Sequence, residues 1–303
     1  MPAPGVGMSQ RRIMPLPLGG ELGLPYSRGL TARALMATGV RADRAYALAR
    51  RWGDDLRARG GREVDLDRLD ALAVEMLGEV EGCAAVQRLR RYQELRELDL
   101  PVLILIGGAT GTGKSTVATE LAYRFGITRV TSTDFIRETM RAFFSRGFMP
   151  SIHYSSFEAG DAFPDADDPL EFGFVQQSRN VIVGVRAAME RALHEGWSMV
   201  LEGVHLVPGL LGEPVDGAVA VSCVLTIDDA TEHARHFLAR DESSRPMSKY
   251  LDRFDEIRRL QDLLVQRAVR EGIPVIENED ANAAATAVAD LVFDAADRMQ
   301  ANV

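Results

Sequence analysis

Residues 102–106 read VLILI, and residues 107–116 read GGATGTGKST. Five consecutive apolar residues without alternation, cut off by glycines, describe a short strand buried on both faces. The stretch GATGTGKS at 108–115 then fits G-x-x-x-x-G-K-[ST] between that strand and an amphipathic helix, the context in which the pattern binds triphosphates. Glycines 108, 111 and 113 let backbone N–H groups turn inward around phosphates, and the helix N-terminus adds its positive dipole end. Gly108, Ala109, Thr110, Gly111, Thr112, Gly113, Lys114, Ser115 and Thr116 are therefore the expected contacts of ATP. Lys114 is expected to bridge the β- and γ-phosphates and Ser115 to ligate Mg²⁺.

The rest of the chain from about residue 99 repeats this logic. Apolar runs at 102–106, 129–132, 198–201, 218–227 and 274–276 alternate with helical patterns at 114–125, 135–145, 173–195, 231–240, 249–270 and 282–300. Buried strands separated by helices predict an α/β fold of the P-loop NTPase type, a parallel sheet with helices on both faces. The acidic, Pro-rich segment GDAFPDADDPLEFG at 160–173 reads as a surface loop. Residues 11–98 read as a smaller, mainly helical domain ahead of the 99–303 domain. It opens with two short strands around Gly19-Gly20, followed by helices within 31–39, 42–60 and 66–82, the third capped by Asp65 or Asp67, and a helical connector ending at Pro101.

A net charge of −9 over 303 residues argues against a nucleic-acid binder, which needs a basic surface to displace counterions. No apolar stretch approaches the roughly 18 residues of a membrane span and the N-terminus lacks a signal-peptide core, so the expected location is cytoplasmic. Cys83 and Cys223 read as buried free thiols. Of 35 basic residues only Lys114 and Lys249 are lysines, which draws attention to the second as well as the first.

Three further segments carry chemistry. In TSTDFIRETMR (131–141) Asp134 ends the second strand, at the sheet edge where ligands bind, and can accept the proton of an attacking hydroxyl. The same aspartate could simply cap the helix starting at Phe135. Arg137 and Arg141, one turn apart, can grip an anionic acceptor. In VLEGVHLVPG (200–209) Glu202 can hold a Mg²⁺-bound water, and His205 is either a substrate contact or structural. In 233–259 Arg240, Arg245, Lys249 and Arg253 surround a Ser/Pro break, which suits a lid that closes over the γ-phosphate; the alternative is a solvated helix pair.

Together GGATGTGKST, TSTDFIRE, IHYSSFEAG (152–160), LEGVHLVPG and RFDEIRRLQDLLVQRAVREGIPVIEN resemble the 2-phosphoglycerate kinase family, and residues 24–48 resemble the ATP-cone module that precedes that kinase domain. The likeness spans about 11–300. It implies transfer of the ATP γ-phosphoryl group to the 3-hydroxyl of 2-phosphoglycerate, giving 2,3-bisphosphoglycerate. Lys114, Asp134, Arg137 and Arg245 would be catalytic, and Arg137, Arg141, His153, Ser155, Ser156, His205 and Lys249 would bind a small anionic phosphorylated acceptor. In the ATP-cone-like domain Arg28 and Arg33 would contact a second nucleotide, although a plain helical packing or dimerisation unit fits the same pattern. A homo-oligomer is compatible with the sequence. The competing functions are a kinase for another small metabolite and a non-catalytic ATP-sensing regulator.

Overall fold

The structure is a computed structural model that describes residues 27–59, 66–212, 216–238 and 247–301. Two compact units divide between Gln87 and Arg88, with residues 37–39 belonging to the second. That border lies inside a helix, eleven residues before the 98/99 boundary expected from sequence. The strands expected around Gly19-Gly20 lie outside the described residues, as do Asp65, Arg240 and Arg245.

The first unit is helical: α1 (Arg28–Ala37), α2 (Ala42–Ala58), α3 (Leu66–Leu77) and the first half of α4 (Glu79–Glu97). Its core holds Leu35, Leu48, Trp52, Leu69 and Leu72, all within 1% of full burial. The third helix ends earlier than its periodicity suggests because Gly78 adopts φ +89°, a left-handed turn after which α4 restarts. Arg28 is half-exposed with Asp54 at 3.8 Å, and Arg33 is exposed. Cys83 is also exposed, a correction to the expected pair of buried thiols, whereas Cys223 is buried and burial pushes its thiol up to about 12.

The second unit is built on five parallel strands, β1 (Val102–Gly108), β2 (Val130–Ser132), β3 (Met199–Glu202), β4 (Val219–Thr226) and β5 (Val275–Glu277), in the order β2-β3-β1-β4-β5. Leu103 and Leu105 of β1, with Met199 and Leu201 of β3, pack on Val181, Ile182, Val185 and Met189 of α7 (Pro169–His194). The alternate residues Ile104 and Ile106 face the opposite side, where α5 (Lys114–Phe125) and α11 (Ala281–Ala301) pack on each other and on the sheet. The α/β expectation holds: a parallel sheet with helices on both faces.

Register sets the site. Ile106 pairs with Glu202 on one side and Cys223 on the other, while Ser132 pairs with Glu202. The chain leaves β1 for β2 on one flank and later returns to β4 on the other, so β1 is the switch point of the sheet. Ligands bind outside the carboxyl ends of the strands at such a point.

Several boundaries differ from the sequence reading. The helix expected at 173 begins at Pro169, with Asp168 as its cap accepting from the Glu171 N–H at 3.1 Å and Pro169 in the first turn. The supposed surface loop therefore contains a helix start, and its beginning belongs to a 3₁₀ segment, Ser156–Ala162. The helix expected over 249–270 is two helices, α9 (Met247–Leu251) and α10 (Phe254–Glu271). No residue of LDRFDE breaks helices; the bend brings both Tyr250 and Phe254 onto Phe237 of α8 (Ala230–Leu238), at ring separations of 5.2 and 6.2 Å.

Candidate active site

The loop after β1 wraps a buried ammonium. Lys114, only 8% exposed, donates from Nζ to the Ala109 carbonyl at 2.6 Å, and the Thr112 hydroxyl donates to the same carbonyl at 3.0 Å. Ser115 Oγ donates to Glu202 Oε1 at 3.0 Å, and Glu202 is itself buried at the end of β3. A hydroxyl and a carboxylate side by side are the hard oxygen donors that Mg²⁺ takes, so these residues fit the ion.

Asp134 lines the same cavity as this pair. It is not the helix cap: the Ser132 hydroxyl accepts the Phe135 N–H at 3.1 Å, and Asp134, in the first turn of α6 (Thr133–Phe143), pairs instead with Arg137 Nε at 3.3 Å. Burial would raise its carboxyl, but the hydrogen bond and charge of Arg137 and the charge of Lys114 oppose this, and the carboxyl is held below the ordinary aspartate value. Lys114, Ser115, Asp134, Arg137, Ser155 and Glu202 line one cavity of about 190 Å³.

A second cavity, of about 320 Å³, shares Arg137, Ser155 and Tyr250 with the first and adds Arg141, His153, Glu158 and Lys249. Its cations are each matched to a carboxylate. Arg141 Nη1 lies 2.8 and 2.7 Å from the two oxygens of Glu138, and Lys249 Nζ lies 2.7 Å from Glu158 Oε2. Burial would raise Glu158, but Lys249 and the Ser155 hydroxyl hold it below the usual value. His153 Nε2 meets the Phe144 carbonyl at 3.0 Å, and Ser156 is buried and lines the first cavity.

Two sequence candidates play parts different from a simple anion grip. Arg137 is 3% exposed and four of its N–H groups are already engaged: Nε with Asp134 at 3.3 Å, Nη1 with the Ile152 and Tyr154 carbonyls at 3.0 Å each, and Nη2 with Glu138 at 2.8 Å. It ties α6 to the 151–156 segment while its edge still faces both cavities. His205 lines neither cavity; it is fully buried. Gln177 spends its amide nitrogen on the Ser151 and Tyr154 carbonyls, at 2.6 and 3.0 Å, so its oxygen must accept from His205 Nε2 at 2.9 Å. His205 Nδ1 then accepts from the Thr133 hydroxyl at 2.8 Å. Burial pushes this ring down to about 4 and keeps it neutral. Its place is behind the residue preceding Asp134 and off both cavities, which favours the structural one of its two expected readings.

Sequence reasoning passed over Thr133, Glu138, Glu158 and Gln177. Each is an ordinary polar residue on a helix or turn, and only the packing of α6, α7 and the 3₁₀ segments brings them to the site. Arg240 and Arg245, which the sequence suggests for a lid, fall outside the described residues; Arg253 is described, between Asp161 at 3.3 Å and Glu256 at 2.9 Å.

Compared with models of known protein families, the chain matches none. Individual relatives are clear. The chain is 38% identical over 276 residues to the 2-phosphoglycerate kinase of Thermococcus kodakarensis, covering 90% of this chain and 94% of that protein. It is 37% identical over 262 residues to that of Methanopyrus kandleri, covering 84% and 80%. Against that of Pyrococcus horikoshii it is 36% identical over 263 residues, covering 86% and 87%. Among solved structures, a shikimate kinase from Acinetobacter baumannii aligns at 16% identity with TM-score 0.38 over 66% of this chain and 97% of that one. A gluconokinase from Sinorhizobium meliloti aligns at 16% identity with TM-score 0.36 over 67% and 95%. Identity above one third along most of its length shows that the chain belongs to the 2-phosphoglycerate kinase family, and it is a phosphotransferase.

Proposed function

We propose that the chain transfers the γ-phosphoryl group of ATP to the hydroxyl of a small phosphorylated hydroxy acid, 2-phosphoglycerate, with 2,3-bisphosphoglycerate as the product. The observation that carries this reading is the pair of adjoining cavities. One holds the phosphate loop with Lys114, Ser115 and Glu202; the other holds Arg141 and Lys249; Arg137 and Ser155 face both. The names of the relatives support the same acceptor.

In this reading the phosphate loop and Lys114 hold the β- and γ-phosphates. Ser115 and Glu202 would hold Mg²⁺, directly and through water, and the ion would neutralise charge on the phosphates. Asp134 accepts the hydrogen bond of the acceptor hydroxyl and aims its oxygen at the γ-phosphorus. The oxygen–phosphorus bond forms as the bond to the β-phosphate oxygen breaks, ADP leaves, and the hydroxyl proton passes to Asp134 and then to solvent. A carboxylate held below its ordinary value is a weak base but a permanent acceptor, which suits a transfer that depends mainly on positioning and charge. Arg141 and Lys249 take the carboxylate and phosphate of the acceptor, displacing Glu138 and Glu158. Arg245 is assigned to the transferring phosphoryl group.

Initial rates of ADP release with 2-phosphoglycerate, 3-phosphoglycerate, gluconate and no acceptor test the assignment. The proposal expects stimulation by 2-phosphoglycerate above the others; release indifferent to every acid offered would remove it. A second nucleotide site in the first unit predicts two moles of bound ATP analogue per chain at saturation, against one if that unit only packs.

A further inference from the structure

Four consecutive carbonyls of the phosphate loop are each held by a side chain. Ala109 is held from within the loop, as described. The next three are held from outside it: the Thr110 carbonyl accepts from His233 Nε2 at 2.8 Å, Gly111 from His236 Nδ1 at 3.0 Å, and Thr112 from Asn278 Nδ2 at 2.9 Å. Both histidines lie on α8, and Asn278 follows β5, more than 120 residues from the loop in sequence.

A carbonyl only accepts, so the ring nitrogens facing it carry hydrogens. His233 is therefore the Nε2–H tautomer, and its Nδ1 lone pair faces Arg258 Nη1 at 3.3 Å. Arg258 is fixed in turn on the Ile227 and Asp228 carbonyls at 2.6 and 2.9 Å. Burial, with help from the charge of Arg258, pushes the His233 ring down to about 4 and keeps it neutral. Phe237 stacks on it at 5.6 Å. The loop sits so close to this backing that a Cβ at Gly111 would come within 2.5 Å of Phe237 Cζ, and one at Gly113 would collide with Asn278 Nδ2. At φ +90° and +79° neither position suits an L side chain in any case. Two glycines of the motif are thus required by what lies behind the loop as well as by what it cradles.

In a trans peptide the carbonyl of one residue and the N–H of the next point in opposite directions. All described peptides are trans. Drawing the carbonyls of Thr110, Gly111 and Thr112 toward these side chains turns the N–H groups of Gly111, Thr112 and Gly113 away from them; the Thr112 N–H meets the Ala109 carbonyl at 3.4 Å, which leaves those of Gly111 and Gly113 for a ligand. We propose that His233, His236 and Asn278 are positioning residues of the donor site: three side-chain donors that clamp the loop's carbonyls and so preorganise its N–H groups for the phosphates of a nucleoside di- or triphosphate. The proposal rests on nucleotide binding at the loop and not on the identity of the acceptor.

Calorimetric titration of the full chain with Mg·ADP, together with the KM for ATP, tests it. His236 is only half-buried, so His236→Leu removes one clamp with little risk to folding. The expected result is a roughly five- to tenfold loss of ADP affinity, the size of one hydrogen bond, with the kinetic loss carried by KM for ATP rather than by kcat. In His236→Asn the amide nitrogen reaches the place of Nδ1, and in His233→Gln it reaches the place of Nε2; both are expected within about threefold of wild type. Wild-type affinity in His236→Leu and in His233→Leu alike would overturn the proposal. So would equal losses in His236→Asn and His236→Leu, which would mark a packing role. A wild-type chain that does not bind ADP would remove the nucleotide reading itself, a result distinct from variants that match a binding wild type.

Discussion

The two adjoining cavities, the donor side and the acceptor side of the proposed transfer, are held together in opposite ways. On the donor side the fixed points are backbone: four loop carbonyls are each tied to a side chain, and Ser115 is tied to the buried Glu202. On the acceptor side the fixed points are ion pairs, Arg141 with Glu138 and Lys249 with Glu158, in a chamber where Lys249 keeps 40% of its side chain exposed. A backbone clamp has one geometry and no substitute partner. An ion pair at a wet surface is worth little and can be exchanged for another anion. On the proposed assignment the donor side is thus ready before its ligand arrives, and the acceptor side trades one set of carboxylates for another.

The junction between the sides should break most completely. Asp134→Asn keeps the shape of the carboxylate but removes the acceptor of the hydroxyl proton, and kcat is expected to fall by roughly 10²–10⁴, with ADP affinity unchanged by calorimetry. Turnover within a few-fold of wild type would strip Asp134 of its role while leaving the cavity assignment standing.

Substitution on the acceptor side should separate the two halves cleanly. Lys249→Met removes a charged contact to the acceptor, so its KM for 2-phosphoglycerate is expected to rise roughly tenfold or more while KM for ATP stays put. Glu158→Gln should act in the reverse direction and more weakly, lowering acceptor KM by about two- to fivefold, because Lys249 no longer has a carboxylate to leave. If both variants raise KM for ATP instead, the exchange of anions is the wrong account of this chamber.

A further effect concerns stability and not turnover. His205 and His233 are both held near 4, below the ordinary 6.5, so the unfolded chain binds protons that the folded chain refuses. Stability is therefore full above about pH 6.5 and is lost as pH falls toward 4, by about 1.4 kcal/mol per pH unit for each ring. Denaturant midpoints measured at pH 7.5 and 5 should show this loss, and it should be roughly halved in His205→Gln. A midpoint that does not move between these pH values would mean that neither ring is buried neutral.

Legibility from sequence follows the same division. The phosphate loop, Lys114, Ser115, Asp134 and Glu202 could be placed because each is fixed by its distance from the end of a strand, and the strands declare themselves as apolar runs. The partners of these residues could not. Nothing in the helix pattern of 169–194 marks Gln177 as the residue that sets the tautomer of His205, and nothing in HARHF marks two histidines as donors to a loop over 120 residues earlier. Arg137 lines both cavities, but its charge alone does not tell that four of its N–H groups are spent on the protein. Long-range pairing carries no local signature, and helix boundaries set by packing, such as the bend between α9 and α10, share that limit.

The claim that joins the two sides is that a phosphoryl group crosses between them at Asp134. Phosphorus NMR of the products formed from ATP and 2-phosphoglycerate tests it most directly. The account predicts ADP in equal amount with an acid that bears two phosphomonoesters, on carbons 2 and 3. ADP accompanied by free phosphate and unchanged 2-phosphoglycerate would contradict it.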